Sequence, residues 1–208
     1  MSRVCVATSR SRAYFSLVTR LRAAGVPFVS LVPGSRDSEC SLVLTTREEA
    51  EVFGEKAVPI EELDENPYVL KGQVLSRLDG GAEILLVGVD PGTRIGMAAY
   101  YGNSRLEFGT FDSVQALCER AVRFIRGVPA RRSLVRIGNG NLAQATRLAM
   151  LLLGALPGLA IEVVDEAGTS SRGARIKGVQ GDQMAAARIA FRKGAPFDVG
   201  PRTRSSLR

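Results

Sequence analysis

Four carboxylates beyond residue 80 stand where main-chain elements are expected to end. Asp90 closes the apolar run 83–90 (EILLVGVD) and is followed by Pro91-Gly92-Thr93. Asp165 and Glu166 close the run 160–165 (AIEVVD), and Asp182 opens the helical pattern 180–192. If 83–90, 133–137 (SLVRI) and 160–165 are parallel neighbours in one sheet, Asp90 and the Asp165-Glu166 pair emerge at the same edge. A last helix packed across that sheet brings Asp182 to them. Carboxylates gathered in this way repel, and each resists ionising. A divalent cation removes the conflict. Hard oxygen donors without His or a Cys pair point to Mg²⁺ or Mn²⁺ rather than zinc. Two such ions about 4 Å apart would activate a water and stabilise the leaving oxygen of a phosphodiester. Each acid also has a plainer role: a Pro-Gly turn for Asp90, a solvated strand end for Asp165-Glu166, and a favourable helix N-terminus for Asp182. Their convergence is what favours metal.

Basic and polar residues surround these acids in the sequence. Thr93 and Arg94 follow Asp90, and Asn139 follows the strand 133–137. Arg172, Arg175 and Lys177 are set among Gly168, Gly173, Gly178 and Gly181, directly between two of the acids. That pattern suits a loop gripping phosphate oxygens, and equally a solvated basic loop. Arg131, Arg132 and Arg136 form a weaker patch. Arg10 and Arg12 stand at an expected helix start, a place that either binds anions or is simply capped and solvated.

Composition narrows the chemistry further. The 208 residues contain no His and no Trp. No Ser-His-Asp triad, Cys-His pair or His-ligated zinc can therefore exist. The three cysteines, Cys5, Cys40 and Cys118, are far apart and form no CxxC. Free thiols in a reducing cytoplasm are the expectation. The first residues lack a secretory pattern, and the longest apolar stretch, 148–156, is about half a membrane span. A soluble protein is expected. The net charge is +7, but residues 1–80 carry 10 basic and 11 acidic side chains while residues 81–208 carry 18 and 10. Of the 28 basic residues 24 are Arg, whose planar fork suits phosphate. A basic domain beside a neutral one favours a polyanionic partner.

The elements that must position these groups follow from periodicity. Residues 3–8 read as a strand, then a helix runs from Ser9 or Ser11 to about Ala24, stopped by Gly25. Residues 27–32 and 41–45 are further strands, with a turn at Pro33-Gly34-Ser35 between them. Thr46 could cap a short helix over 47–53, and Asn66-Pro67 starts a helix to about Leu78. The alternation suggests a small parallel sheet. Asp79-Gly80-Gly81 is the expected domain boundary. Beyond it come strands 83–90, 95–101 and 105–111 as a meander, a helix of about 14 residues after Ser113, strand 133–137, helix 141–153, strand 160–165 and helix 180–192. The class is α/β: a small parallel-sheet domain over 1–80, a βββαβαβα domain over 82–196, and a flexible basic tail over 197–208.

The residue strings also carry a resemblance. VGVDPGTRIGMAAY (87–100) resembles the opening strand–turn–strand of the RuvC-like branch of the RNase H fold. RIGNGN (136–141), VDEAGTSS (164–171) and DQMAAARIA (182–190) are similar to later signatures of YqgF-type, Holliday-junction-resolvase-like proteins. The resemblance covers most of residues 84–192 and none of 1–80. It implies a metal-dependent nuclease on branched or otherwise structured DNA or RNA. Asp90, Glu166 and Asp182 would be the metal ligands with Asp165 beside them, and Thr169 and Ser170 would stand where the family has hydroxyl residues. A homodimer would suit a two-fold symmetric substrate. Two departures are visible. Gly138-Asn139 stands where RuvC has a Glu, and Ala167 stands where YqgF-type proteins have an Arg. They leave a catalytically inactive nucleic-acid-binding or adaptor protein as the alternative. A phosphotransferase of the actin and sugar-kinase type would need two such domains with a phosphate turn in each, and the chain is too short for them and has only one DPGT.

Overall fold

The computed structural model describes residues 2–32, 39–166 and 181–198. It is an α/β structure with two sheets. Two compact units share the chain: residues 1–85 with 100–107 and 120–133, and residues 86–99 with 108–119 and 134–208.

The first sheet contains β1 (Arg3–Val6), β2 (Val29–Ser30), β3 (Cys40–Thr45) and β4 (Ala57–Pro59), in the order β2-β1-β3-β4, with every pairing parallel. Helix α1 (Ser11–Ala24) and helix α2 (Pro67–Asp79) belong to the same unit. α1 turns Leu17, Val18, Leu21 and Ala24 inward. Leu17, Leu21 and Ala24 meet Val4, Val6, Leu42, Leu44, Leu70 and Val74 in one apolar cluster. Truncating a fully buried leucine such as Leu21 to Ala would cost about 2–5 kcal/mol. α1 ends where Gly25 takes φ 63°, a left-handed conformation that side chains resist. α2 starts as the sequence indicates, with Asn66 Oδ1 accepting the N–H groups of Tyr68 (3.0 Å) and Val69 (3.2 Å) and Pro67 in the first turn.

The other face of this sheet holds a smaller cluster of Cys5, Ala7, Cys40 and Val43, with Val29, Leu31 and Phe53 against it. Here the expectation of free thiols is corrected: Cys5 and Cys40 form a disulfide, their Cα atoms 6.0 Å apart. Thirty-five positions separate them in sequence. Pairing β1 beside β3 is what brings both sulfurs to one face. Cys118 is free and buried. Three shorter differences also concern this unit. The strand expected over 27–32 is only Val29–Ser30, the helix expected over 47–53 is a 3-10 helix over Arg47–Val52, and β4 carried no signal in the sequence. The turn expected at 33–35 lies outside the described residues.

The second sheet has the order β10-β9-β8-β5-β6-β7, built from β5 (Ile84–Asp90), β6 (Ile95–Tyr101), β7 (Ser104–Phe111), β8 (Arg132–Gly138), β9 (Ala160–Val164) and the short β10 (Ala195–Pro196). β8 and β9 are parallel, and β10 is antiparallel to β9. Three helices accompany it: α3 (Val114–Gly127), α4 (Leu142–Ala155) and α5 (Gly181–Phe191). Ser113 Oγ accepts the Ala116 N–H (3.1 Å) before α3, and Asn141 Oδ1 accepts the Gln144 N–H (3.1 Å) before α4. Such caps satisfy donors that a helix start leaves unpaired.

α5 lies directly on the sheet, and two glycines make that possible. A Cβ on Gly88 of β5 would stand 2.2 Å from the Ala186 carbonyl oxygen, and one on Gly96 of β6 would stand 2.1 Å from the Asp182 carbonyl oxygen. No side chain fits at either place, so backbone meets backbone. No helix among the described residues is long and apolar enough to cross a membrane.

Candidate active site

The sheet order sets the site. β5 ends at Asp90, β8 beside it ends at Gly138, and β9 beside that ends at Val164 with Asp165 and Glu166 following. The register pairs Gly138 with Val164, so Asn139 and Gly140 lie next to the acid pair. Contact through Gly96 brings the first turn of α5, with Asp182, to β6, the neighbour of β5 on the other side.

Asn139 organises this edge. Its Oδ1 accepts the Glu166 N–H (3.0 Å), its Nδ2 donates to Asp165 Oδ1 (3.1 Å), and its own N–H donates to the Val164 carbonyl (3.0 Å). Glu166 then folds back, and its Oε1 accepts the Gly140 N–H at 3.0 Å. A Cβ at Gly138 would stand 1.9 Å from that same Oε1. The Glu166 carboxylate therefore sits over the end of β8, one strand away from its own, in space that only glycine leaves open. Arg192 donates to the Asp165 carbonyl (3.3 Å), and a hollow of about 30 Å³ beside Glu166 is lined by Arg188, Ile189 and Arg192.

Asp90 is half-buried and its carboxyl is pushed up to about 6. Burial is the largest cause, followed by the charges of Glu166 and Asp182. Three carboxylates from the ends of three different elements thus share one electrostatic environment. Their donor set is all oxygen, which suits a hard divalent cation. Among the described residues, no three acidic or thiol side chains stand close enough to hold a metal ion outright, and Glu166 is turned to Gly140.

The other residues singled out in the sequence divide into three groups. Thr93 and Arg94 are exposed in the turn after Asp90. Asn139 is bonded to the acids it accompanies. Thr169, Ser170, Arg172, Arg175 and Lys177 lie outside the described residues. Arg136, read as part of a basic patch, is instead an internal tie: it donates to Glu162 Oε2 (2.8 Å) and to the Ala190 carbonyl (2.7 Å).

A cavity of about 270 Å³ opens beside Thr93, and sequence reasoning missed its far wall. Asp112, Ser113 and Gln115 line it from the start of α3, and Gln144 and Arg147 from α4. Gln144 Oε1 is buried without a hydrogen-bond partner among the described residues. The available signal was local. Gln144 and Arg147, three residues apart on one face, are polar interruptions in a mostly apolar helix.

No family model matches the chain, and no curated protein matches it. Among solved structures it is similar to the Argonaute of Marinitoga piezophila in complex with a guide RNA, at 10% identity and a TM-score of 0.24, over 79% of this chain and 39% of that one. The same Argonaute with guide RNA and target DNA gives 10% identity and a TM-score of 0.28 over the same shares. The chain thus spans about two fifths of those proteins.

Proposed function

We propose that Asp90, Glu166 and Asp182, with Asp165 beside them, are the acid set of a divalent-metal-dependent nuclease acting on structured nucleic acid. The reading rests above all on Asp90, an acid at a strand end whose proton is retained to about pH 6 by burial and by two neighbouring carboxylates. A protein gains nothing structurally from such a cluster, because each charge opposes the others. Mg²⁺ or Mn²⁺, when bound, would supply the compensating charge and lower the barrier to phosphodiester hydrolysis. Asn139 would hold Asp165 and Glu166 at the site by bonding both. The excess of basic residues over 81–208 and the RuvC/YqgF-like strings support a nucleic-acid substrate. Branched DNA and structured RNA are both within the proposal, and a homodimer would match a two-fold symmetric junction.

Cleavage assays test it. Junction, flap, RNA–DNA hybrid and single-stranded substrates are incubated with Mg²⁺ or Mn²⁺ and with wild type or Asp90→Asn. Metal-dependent cutting that the variant lacks is the expected result. Identical behaviour of the two proteins on every substrate removes the reading.

A second reading has its own observation. Glu166 accepts the Gly140 N–H, and the described acids do not close into a metal cage. A catalytically inactive nucleic-acid-binding relative would keep this arrangement. It would bind with strong salt dependence and turn nothing over. Strong metal-dependent cleavage excludes it.

A further inference from the structure

Asp90, Asp165, Glu166 and Asp182 all belong to the second unit, and in the first unit α1 presents a surface that its own packing leaves unused. Opposite its buried residues stand Arg12, Phe15, Thr19 and Arg22, all exposed. Their spacing of three, four and three positions sets them in one row along the helix. Phe15 is 73% exposed, the highest value for an aromatic side chain among the exposed large hydrophobics. Its neighbour Tyr14 is anchored by its hydroxyl to Ser30 Oγ at 2.8 Å. The other arginines of this segment are engaged as well. Arg3 pairs with Glu39, Arg10 pairs with Glu48, and Arg20 donates to Ser16 Oγ and the Asp64 carbonyl. Among the described residues, the guanidinium groups of Arg12 and Arg22 have no ion pair and no hydrogen bond.

The charge here is one-sided. Residues 1–32 contain five Arg and no acid, while all eleven acids of residues 1–80 lie at Asp37 or later. The near-neutral N-terminal segment is therefore a basic portion followed by an acidic one. A merely solvated helix face has no use for a bare phenyl ring, whose exposure forgoes the gain of burying it. Two unpaired guanidinium groups flanking an open ring fit a polyanion that also offers flat apolar faces.

We propose that this row on α1 binds single-stranded nucleic acid, with an unpaired base stacked on Phe15 and backbone phosphates on Arg12 and Arg22. A duplex shows no open base face, so the ring selects single strands. Arg12 and Arg22 are ten residues apart, about 15 Å along the helix, which leaves room for the stacked base between two phosphate contacts. The surface is independent of the acid site, and a chain without nuclease activity would still carry it.

The chain has no Trp, so Phe15→Trp installs a single reporter. Divalent metal is withheld throughout, so that no cleavage enters the measurement. Adding oligothymidylate to Phe15→Trp is expected to quench the tryptophan emission. Phe15→Ala should weaken binding of a labelled oligothymidylate about tenfold by fluorescence anisotropy, within the range for loss of one stacked base. Arg12→Ala/Arg22→Ala should lower the slope of log affinity against log salt by about 1.4, about 0.7 for each phosphate contact. A wild type that does not bind the oligonucleotide overturns the proposal. So does binding that leaves the tryptophan unquenched, or binding that Phe15→Ala leaves unchanged. Quenching by an acidic peptide or by phosphatidylserine vesicles, with no response to the oligonucleotide, also overturns it. Absence of cleavage in the metal-dependent assays removes only the nuclease reading.

Discussion

Glu49 and Asp90 are carboxylates in different units, and their environments are opposite. Glu49 collects donors: the Ser9 N–H at 2.8 Å, the Ser9 hydroxyl at 2.6 Å and the Thr46 hydroxyl at 3.0 Å. Burial alone would raise its pKa, but these bonds, with a contribution from Thr8, hold it at about 2. Asp90 is surrounded instead by burial and like charge, and its pKa rises to about 6. The first acid is satisfied within the fold and ties the segment after β1 to the segment after β3. The second is left unsatisfied by its own chain. An acid in the second condition is the one that calls for an external cation, and its position at a strand end beside two other acids makes the case specific.

The contrast can be broken most severely at the level of activity. Asp90→Asn should reduce metal-dependent cleavage on the order of a thousandfold, since metal-assisted charge stabilisation is worth several kcal/mol, while circular dichroism stays unchanged. Next in size is the staple of the first region. In a Cys118→Ser background, reducing the Cys5–Cys40 disulfide, which spans 35 positions, should lower unfolding free energy by about 4 kcal/mol in denaturant titrations. An unchanged midpoint would show that the parallel sheet does not depend on it.

Opposite pH slopes sharpen the comparison directly. The folded pKa of Glu49 lies below its ordinary value, so its contribution is complete above about pH 4.5 and is lost as pH falls towards about 2. Glu49→Ala should cost about 1 kcal/mol at neutral pH, by leaving its donors unpaired, and should flatten that acid limb. The folded pKa of Asp90 lies above its ordinary value, so it detracts from stability increasingly as pH rises from about 3.8 to about 6. In the absence of metal, Asp90→Asn should therefore gain stability at pH 7, by about 1 kcal/mol after allowance for screening at a half-exposed group. Thermal melts of wild type and both variants across pH 3–8 separate the two signs. The smallest effect is expected from Asn139→Ala. It should lower cleavage several-fold by releasing Asp165 and Glu166, with stability changed by about 1 kcal/mol or less. Equal cleavage by this variant would reduce Asn139 to a turn residue.

Where a signal is local, sequence reading located the element. Asn66-Pro67 starts α2 and Gly25 ends α1 because caps and left-handed glycines act within a few residues. Asp90, Glu166 and Asp182 were likewise legible as element ends, and the sheet order puts their elements close together. What escaped is non-local. The three residues of β4 are a strand only because Val43, Leu44 and Thr45 of β3 pair with them. Cys5 and Cys40 meet only once β1 lies beside β3. Arg136 reads as surface charge until Glu162 and the end of α5 are placed beside it. Asn139 reads as a turn residue until Asp165 and Glu166 arrive on the adjacent strand.

The Cys5–Cys40 bond has a consequence for the chain as a covalent object. It encloses α1 and β2 within a ring of main chain. A protease nick anywhere between the two cysteines opens that ring without releasing a fragment. Such a molecule migrates as one species until it is reduced and as two pieces afterwards. The order in which the bands appear reports where along this segment the backbone first gave way.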